Sequence, residues 1–350
     1  MKESELASKS LALKLDARMR ERERGFFIRM RKLVSGDDLF RFLLTCLLVT
    51  FAFFAVDAQK EVRPTSAEPS AFAFPKQETY TLSNGMSVTL VQYGSDAKVA
   101  MHTVIRVGSI NESGDKPWIS DMVATLLKER TASRSVSQIE LEISEMGGSI
   151  FTSAGTDKTI IGGEVPSEFD TRFLNLMADV VLNPKFAAED IEKIRANKIM
   201  ELAINRAQPG SLAWEKFRQN IFLNHAYGTI FPTEKGLNGY TLQDVKTFYY
   251  NQYGAARAHL YVVGQFDTTK VKAAIDKAFG NWKKGPEAIR DVPLSRAKRT
   301  LDIIDRPGAT QSTIYLGMPA LSPSDPDFVK FTVMDSLLGS SPGSRIKKER

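Results

Sequence analysis

The sequence predicts a globular chain that mixes β-hairpins with amphipathic helices. Three observations predict it. The composition is ordinary for a folded protein, with 43% hydrophobic and 25% charged residues. Apolar and polar residues alternate around an Asn-Gly pair near residue 84. Several later stretches carry apolar residues at helical spacing, bounded by caps, Pro and Gly. The length of 350 residues fits about two domains.

The chain begins with a segment of a different kind. Residues 42–56 (FLLTCLLVTFAFFAV) are apolar apart from two threonines and Cys46. At 15 residues the run falls short of the ~20 that a membrane-spanning helix needs. Arg24, Arg29, Arg31 and Lys32 precede it, and Val56-Asp57-Ala58 follows as a small-residue cleavage pattern. A basic region, an apolar run and a small-residue site make a secretory signal peptide, with an uncleaved signal anchor as the alternative. The region before the run is long enough that Met30 is a second candidate start. Residues 59–76, rich in Pro, Ala and Ser, read as a tether. Cys46 is the sole cysteine, so no intrachain disulfide can form, and removal of the leader leaves a cysteine-free protein suited to an oxidising compartment. Cys46 lies inside the apolar run, which argues against a lipoprotein.

The folded part opens with strands over Glu78–Leu82 and Met86–Gln92 around Ser83-Asn84-Gly85. A third strand follows over Lys98–Val107, ended by Gly108-Ser109. Ile119, Met122, Val123, Leu126 and Leu127 form a helical stripe within Trp118–Lys128. Ser135 starts a second helix, with Gln138 placed for a capping box. Gly147-Gly148 ends it, and Ser149–Val165 reads as a strand pair. Ser167–Leu182 is a helix stopped by Asn183-Pro184. Ala188–Gln208 is a long amphipathic helix stopped by Pro209-Gly210. Leu242–Gln252 is a helix, His259–Val263 a strand and Thr268–Phe279 a helix. Lys283–Arg299 is a charged linker containing Pro.

The opening pattern then recurs. Leu301–Ile304 and Ser312–Gly317 read as strands around Arg306-Pro307-Gly308, followed by a helix over Asp325–Leu338. This looks like the start of a second copy of the first unit. About 50 residues cannot bury a core like that of the first unit. The expectation is therefore a fragment, or an early-terminated form, of a longer protein.

Charge and histidine content exclude some classes. Of the net charge of +6, half lies before residue 59, where 11 Lys and Arg face 8 Asp and Glu. The remainder is too mild and scattered for nucleic acid. The three histidines, His102, His225 and His259, are far apart, which rules out a short His-x-x-x-His zinc pair.

A family resemblance rests on the order and spacing of several stretches. These are Leu82-Ser83-Asn84-Gly85, Val107-Gly108-Ser109 with Glu112, Thr131 with Arg134-Ser135, Gly147-Gly148, and His225-Ala226-Tyr227-Gly228. Tyr253 with Val262-Val263-Gly264 follows, then Phe279-Gly280-Asn281-Trp282, and Pro307-Gly308-Ala309-Thr310-Gln311 before Asp325-Pro326-Asp327. The chain resembles the M16 peptidases, the group of insulinase, pitrilysin and the mitochondrial processing peptidase, from about Pro75 to Arg350. The resemblance implies an α+β fold, a mainly antiparallel sheet flanked by helices, duplicated into a clam-like chamber. It implies domains at 77–283 and, incomplete, at 300–350, joined by a linker at 284–299.

Active members bind zinc through His-x-x-Glu-His on a helix and a glutamate about 75 residues on. Histidines at i and i+4 share a helix face, and the glutamate between them takes a proton from zinc-bound water. Aligned on Thr131 and Arg134-Ser135, this motif falls on Asp121-Met122-Val123-Ala124-Thr125. The first ligand position is Asp121, the base position Ala124, the second ligand position Thr125. The distal glutamate persists as Glu201. No catalytic residue, metal site or cofactor is expected. Two carboxylates alone make a poor Mg or Ca site. Where the family carries Asn-Ala on a substrate-pairing edge strand, this chain has Phe151 and Thr152, which can still pair through the backbone.

The remaining conspicuous residues are expected to be structural. His225 caps a turn. His102 and His259 are partly buried, hydrogen-bonded strand residues, and Trp118, Trp214 and Trp282 belong to core or interface. Glu129-Arg130 is read as a solvated helix end. The resemblance implies an exported, periplasmic, zinc-less subunit pairing as a heterodimer with a zinc-bearing M16 homologue. Some members of the family work in this way, and peptide is then the substrate. A non-proteolytic envelope binding or scaffold protein is the alternative. An active peptidase is the third reading. Membrane contact is expected only through an uncleaved leader.

Overall fold

The computed structural model of the chain describes residues 44–45, 73–289, 291, 293 and 298–348. Most of the leader and most of the tether lie outside these residues. Among the described residues, no helix is long and apolar enough to cross a membrane. Residues from Ala73 onward form one compact unit.

The chain enters through β1 (Gln77–Thr81) and β2 (Ser87–Gln92), an antiparallel hairpin. Gly85 takes φ +94°, which a side chain would strain. The Asn84 amide donates to the carbonyls of Phe279 and Trp282 at 2.8 and 3.0 Å, so the turn is fastened to a distant helix end. Then come β3 (Lys98–Ile105), α1 (Ile119–Leu127), α2 (Val136–Glu145), β4 (Ser149–Ala154) and β5 (Thr159–Pro166). Next are α3 (Asp170–Leu182), α4 (Ala188–Ala207), α5 (Pro209–Phe222), α6 (Glu234–Asn238) and α7 (Leu242–Gln252). β6 (Ala258–Gly264) and α8 (Thr268–Phe279) complete this part, and α9 (Phe328–Asp335) and α10 (Arg345–Lys348) lie beyond it.

The six strands form one sheet in the order β1-β2-β6-β3-β5-β4. Every pairing is antiparallel except β2 with β6. Period-two alternation gives the sheet two unlike faces. Val88, Leu90, Val99, Met101, Ile105, Ile161, Val165, Leu260 and Val262 are buried on one face. There the Thr103 hydroxyl meets the Met177 sulfur of α3 at 3.7 Å. Each such fully buried aliphatic side chain contributes about 1.5–3 kcal/mol. The opposite face is open, and Phe151, Gly162, His102 and Tyr261 lie along one cross-strand row of it. Phe151 and Tyr261 are 40% and 38% exposed. The His102 ring stands edge-on to Phe151, over Gly162, where a Cβ would come within 2.4 Å of the ring.

The expected helices and hairpin form, including the Ser135/Gln138 capping box. Three expectations need correction. Pro209-Gly210 does not only stop α4; Pro209 is the first residue of α5, a position where its missing N–H costs nothing. Leu301–Ile304 and Ser312–Gly317 form no strand. Leu301, Ile303, Ile314, Leu316 and Met318 keep their alternation but are exposed, because no sheet among the described residues receives them. The predicted Asp325–Leu338 helix is shorter at its start and leaves the α geometry at Ser336–Ser340, which is a π turn.

Candidate functional site

The motif positions sit where α1 and α4 face each other beside β4. Helix α1 starts abruptly. Trp118, at its N-cap, holds φ +71°, and the Glu112 carboxylate accepts the backbone N–H groups of Trp118 and Ser120 at 3.0 and 2.9 Å. The Ser120 hydroxyl adds a third bond at 2.5 Å. Burial pushes the Glu112 carboxyl up, against these hydrogen bonds, which favour its charged form. A carboxylate at a helix N-terminus also meets the positive end of the helix dipole. Glu112 therefore serves as the clamp that fixes where α1 begins.

On α1, Asp121 and Thr125 share a face. The Thr125 hydroxyl donates to the Asp121 carbonyl at 2.9 Å, which commits it to its own helix. Ala124, the base position, is buried at 1% exposure. From α4, Lys198 reaches across. Its ammonium pairs with the Asp121 carboxylate and, at 2.7 Å, with Glu201 one turn on. The Lys198 side chain is 14% exposed, and its nitrogen lies 5.6 Å from the centre of the Trp118 ring. That ring is itself held by a 2.8 Å bond from its N–H to the Ile230 carbonyl. Burial would lower the Lys198 pKa, but the hydrogen bonds and charges of Asp121 and Glu201 outweigh it and raise it. Lys198 is thus a fixed cation at neutral pH.

These residues do not fit a zinc ion. Zinc takes imidazole, thiolate or carboxylate donors, with three protein ligands in catalytic sites. The positions expected for ligands supply one carboxylate engaged by an ammonium, one hydroxyl turned to backbone, and Glu201 on the same ammonium. Among the described residues, no group of three or more His, Cys, Asp or Glu could hold a metal.

The anchor residues of the motif are structural. Arg134 donates to Glu142 at 2.8 Å and to Asp179 at 2.7 Å. Asp179 also accepts from Thr131, Ser133 and Asn183. Burial works to raise the Asp179 pKa, yet these donors hold it below the usual carboxylate value. Glu129-Arg130 is not a free helix end. Arg130 binds Asp190 and Glu189, and Glu129 binds Lys193, which ties the end of α1 to the start of α4. His225 accepts the Tyr227 N–H at 3.1 Å and caps the turn Ala226–Gly228. His259 bonds the Thr89 hydroxyl at 2.8 Å and stacks on Tyr261. Trp282 is buried, whereas Trp214 is partly exposed against Phe217 and Tyr315.

Phe151 and Thr152 lie on β4, which ends the sheet; Phe151 is on the open face and Thr152 on the helix side. The structure does not bring His102, His225 or His259 to α1 or α4. Lys198 is the residue that sequence reasoning missed. Its spacing of three from Glu201 resembles an ordinary surface pair, and its link to Asp121 spans 77 positions.

The fold is a peptidase-type scaffold, and the positions at which the resemblance places the metal ligands hold Asp121, Thr125 and Glu201. The model for "Insulinase (Peptidase family M16)" matches residues 88–230, and that for the "Peptidase M16 inactive domain" matches residues 239–349. The chain belongs to the M16 peptidase family. An uncharacterized zinc protease of Rickettsia felis is 29% identical over 208 residues, 59% of this chain and 50% of that protein. A protease from Helicobacter pylori shares the fold with a TM-score of 0.67 at 21% identity, covering 79% of this chain and 68% of that one. The periplasmic protease PqqL from Escherichia coli aligns with a TM-score of 0.56 at 16% identity, over 67% of this chain and 26% of that one. At these identities the structural likeness establishes the fold alone. The chain spans about half the length of the first curated relatives it matches.

Proposed function

We propose that this chain is a zinc-less, non-catalytic M16 subunit that assists peptide cleavage by a zinc-bearing homologue. The observation that carries this reading is the Lys198 ammonium between Asp121 and Glu201, at the positions implied for metal ligands. The base position, Ala124, has no group that could accept a proton. What the chain retains is β4, an edge strand whose outer backbone groups can pair with an extended peptide. The subunit is exported to the periplasm, supported by the leader pattern and by the periplasmic protease of E. coli among its structural relatives. Its domains run over 77–283 and from 300 onward, joined by 284–299.

The test is purification of the chain alone and together with a zinc-bearing M16 homologue from the same genome. The chain alone binds no stoichiometric zinc and shows no chelator-sensitive peptide cleavage; the pair co-purifies and cleaves faster than the homologue alone. Zinc-dependent turnover by the chain alone, or no association and no gain, sinks the subunit reading. The second reading, a non-proteolytic envelope binding protein, is favoured by the row of exposed Phe151 and Tyr261 with half-buried His102 between them on the open sheet face. It predicts ligand binding that survives without any homologue.

A further inference from the structure

We infer that the Lys198 ammonium is a tethered cation that takes over the helix-joining role of a metal ion between α1 and α4, and that it bars a metal from that place. The inference rests on the non-catalytic reading of the site but not on any subunit role.

The geometry supports it at three points. The ammonium meets one carboxylate from each helix, Asp121 on α1 and Glu201 on α4. Its approach is walled by the Trp118 ring, which is fixed to Ile230. Among the described residues, the other two motif positions bring no charge to the cluster. Thr125 is spent on the Asp121 carbonyl and Ala124 is a buried methyl. The neighbouring cations are engaged elsewhere, Lys193 with Glu129 and Arg195 with Glu192. An ammonium supplies N–H donors and a positive charge to the two carboxylates. A divalent ion placed among the same oxygens would lie next to that charge and be repelled by it.

One consequence separates this inference from simple loss of ligands. Rebuilding the histidines and the base should not rebuild the metal site while Lys198 remains. The probe is cobalt(II), titrated by its visible absorption into the full chain carrying Asp121→His, Ala124→Glu and Thr125→His. A second protein carries the same changes with Lys198→Ala. The protein that keeps Lys198 is expected to bind cobalt about tenfold or more weakly than the one without it. Equal affinities, or no binding by either, overturn the inference.

Because Ala124 is buried, a second measurement uses the native background. Lys198→Met leaves two facing carboxylates without their cation, and the melting temperature falls by about 2–4 °C. Adding Asp121→Asn recovers at least half of that loss. An unchanged melting temperature in Lys198→Met overturns the inference as well. Stoichiometric zinc on the native chain would sink the non-catalytic reading and this inference with it, whereas the outcomes above sink the inference alone, so the two failures are distinguishable.

Discussion

Between Gln77 and Trp282 most apolar members of the alternating pattern are buried; between Leu301 and Ile346 most residues of the same kind face solvent. Val99, Met101 and Ile105 of β3 are fully enclosed, while Leu316 is 93% exposed. Both stretches alternate in the way that specifies a strand. The difference lies in partners. β3 is flanked by β5 and β6 and covered on one face by α3. Leu301–Met318 has no flanking strand among the described residues. Tyr315 does rest on Trp214 and Phe217 of α5. Period-two patterning states which face of a strand wants burial, but the strand forms only where a ladder and a cover exist.

Four substitutions break or sharpen this contrast. Phe173→Ala removes a fully buried ring under the sheet and is expected to cost about 3–5 kcal/mol in denaturant unfolding. A cost near that of a surface change would mean that the first region is not the packed one. Asp179→Asn tests the polar knot that holds α2 and α3 together. Its carboxyl titrates below the unfolded value in the native state. Its stabilisation is therefore complete above about pH 4 and fades as pH falls through the lower native value. The carboxylate is partly reached by solvent, so the loss at neutral pH is about 1–2 kcal/mol. The variant's stability should fall less steeply in acid than that of the native chain; an identical slope would remove Asp179 from the acid response.

Ser135→Ala removes the cap of α2 and is expected to cost about 1 kcal/mol, read from the unfolding midpoint. Leu316→Ala marks the other end of the scale. Within Leu301–Met318 it should change stability by no more than about 0.5 kcal/mol. A loss of several kcal/mol there would show that this stretch is packed in solution and would erase the contrast.

Much of the first region was legible in the sequence because its signals are local. Leu242–Gln252 and Thr268–Phe279 have the residue limits expected from their caps, and Asn84-Gly85 marked the hairpin. The parallel pairing of β2 with β6 was not legible, since it joins segments far apart in the chain. Helix α5 is hidden in the sequence because Pro209-Gly210 reads as a stop, although Pro suits a first turn equally well. In the site, Asp121, Ala124, Thr125 and Glu201 could be located only by resemblance, and no local pattern marks them. The role of Lys198 depends on which helices meet, and that is set by the core rather than by any neighbour in sequence.

The contact between Lys198 and Asp121 also changes how this fold answers to its surroundings. A protein held by a bound ion is stabilised in proportion to the logarithm of free ion over its dissociation constant. Its firmness then varies with supply, with chelators and with compartment. A cation carried on the chain has no such concentration term. The junction of α1 and α4 is complete once the chain folds, at the same strength in a metal-starved medium as in a metal-rich one.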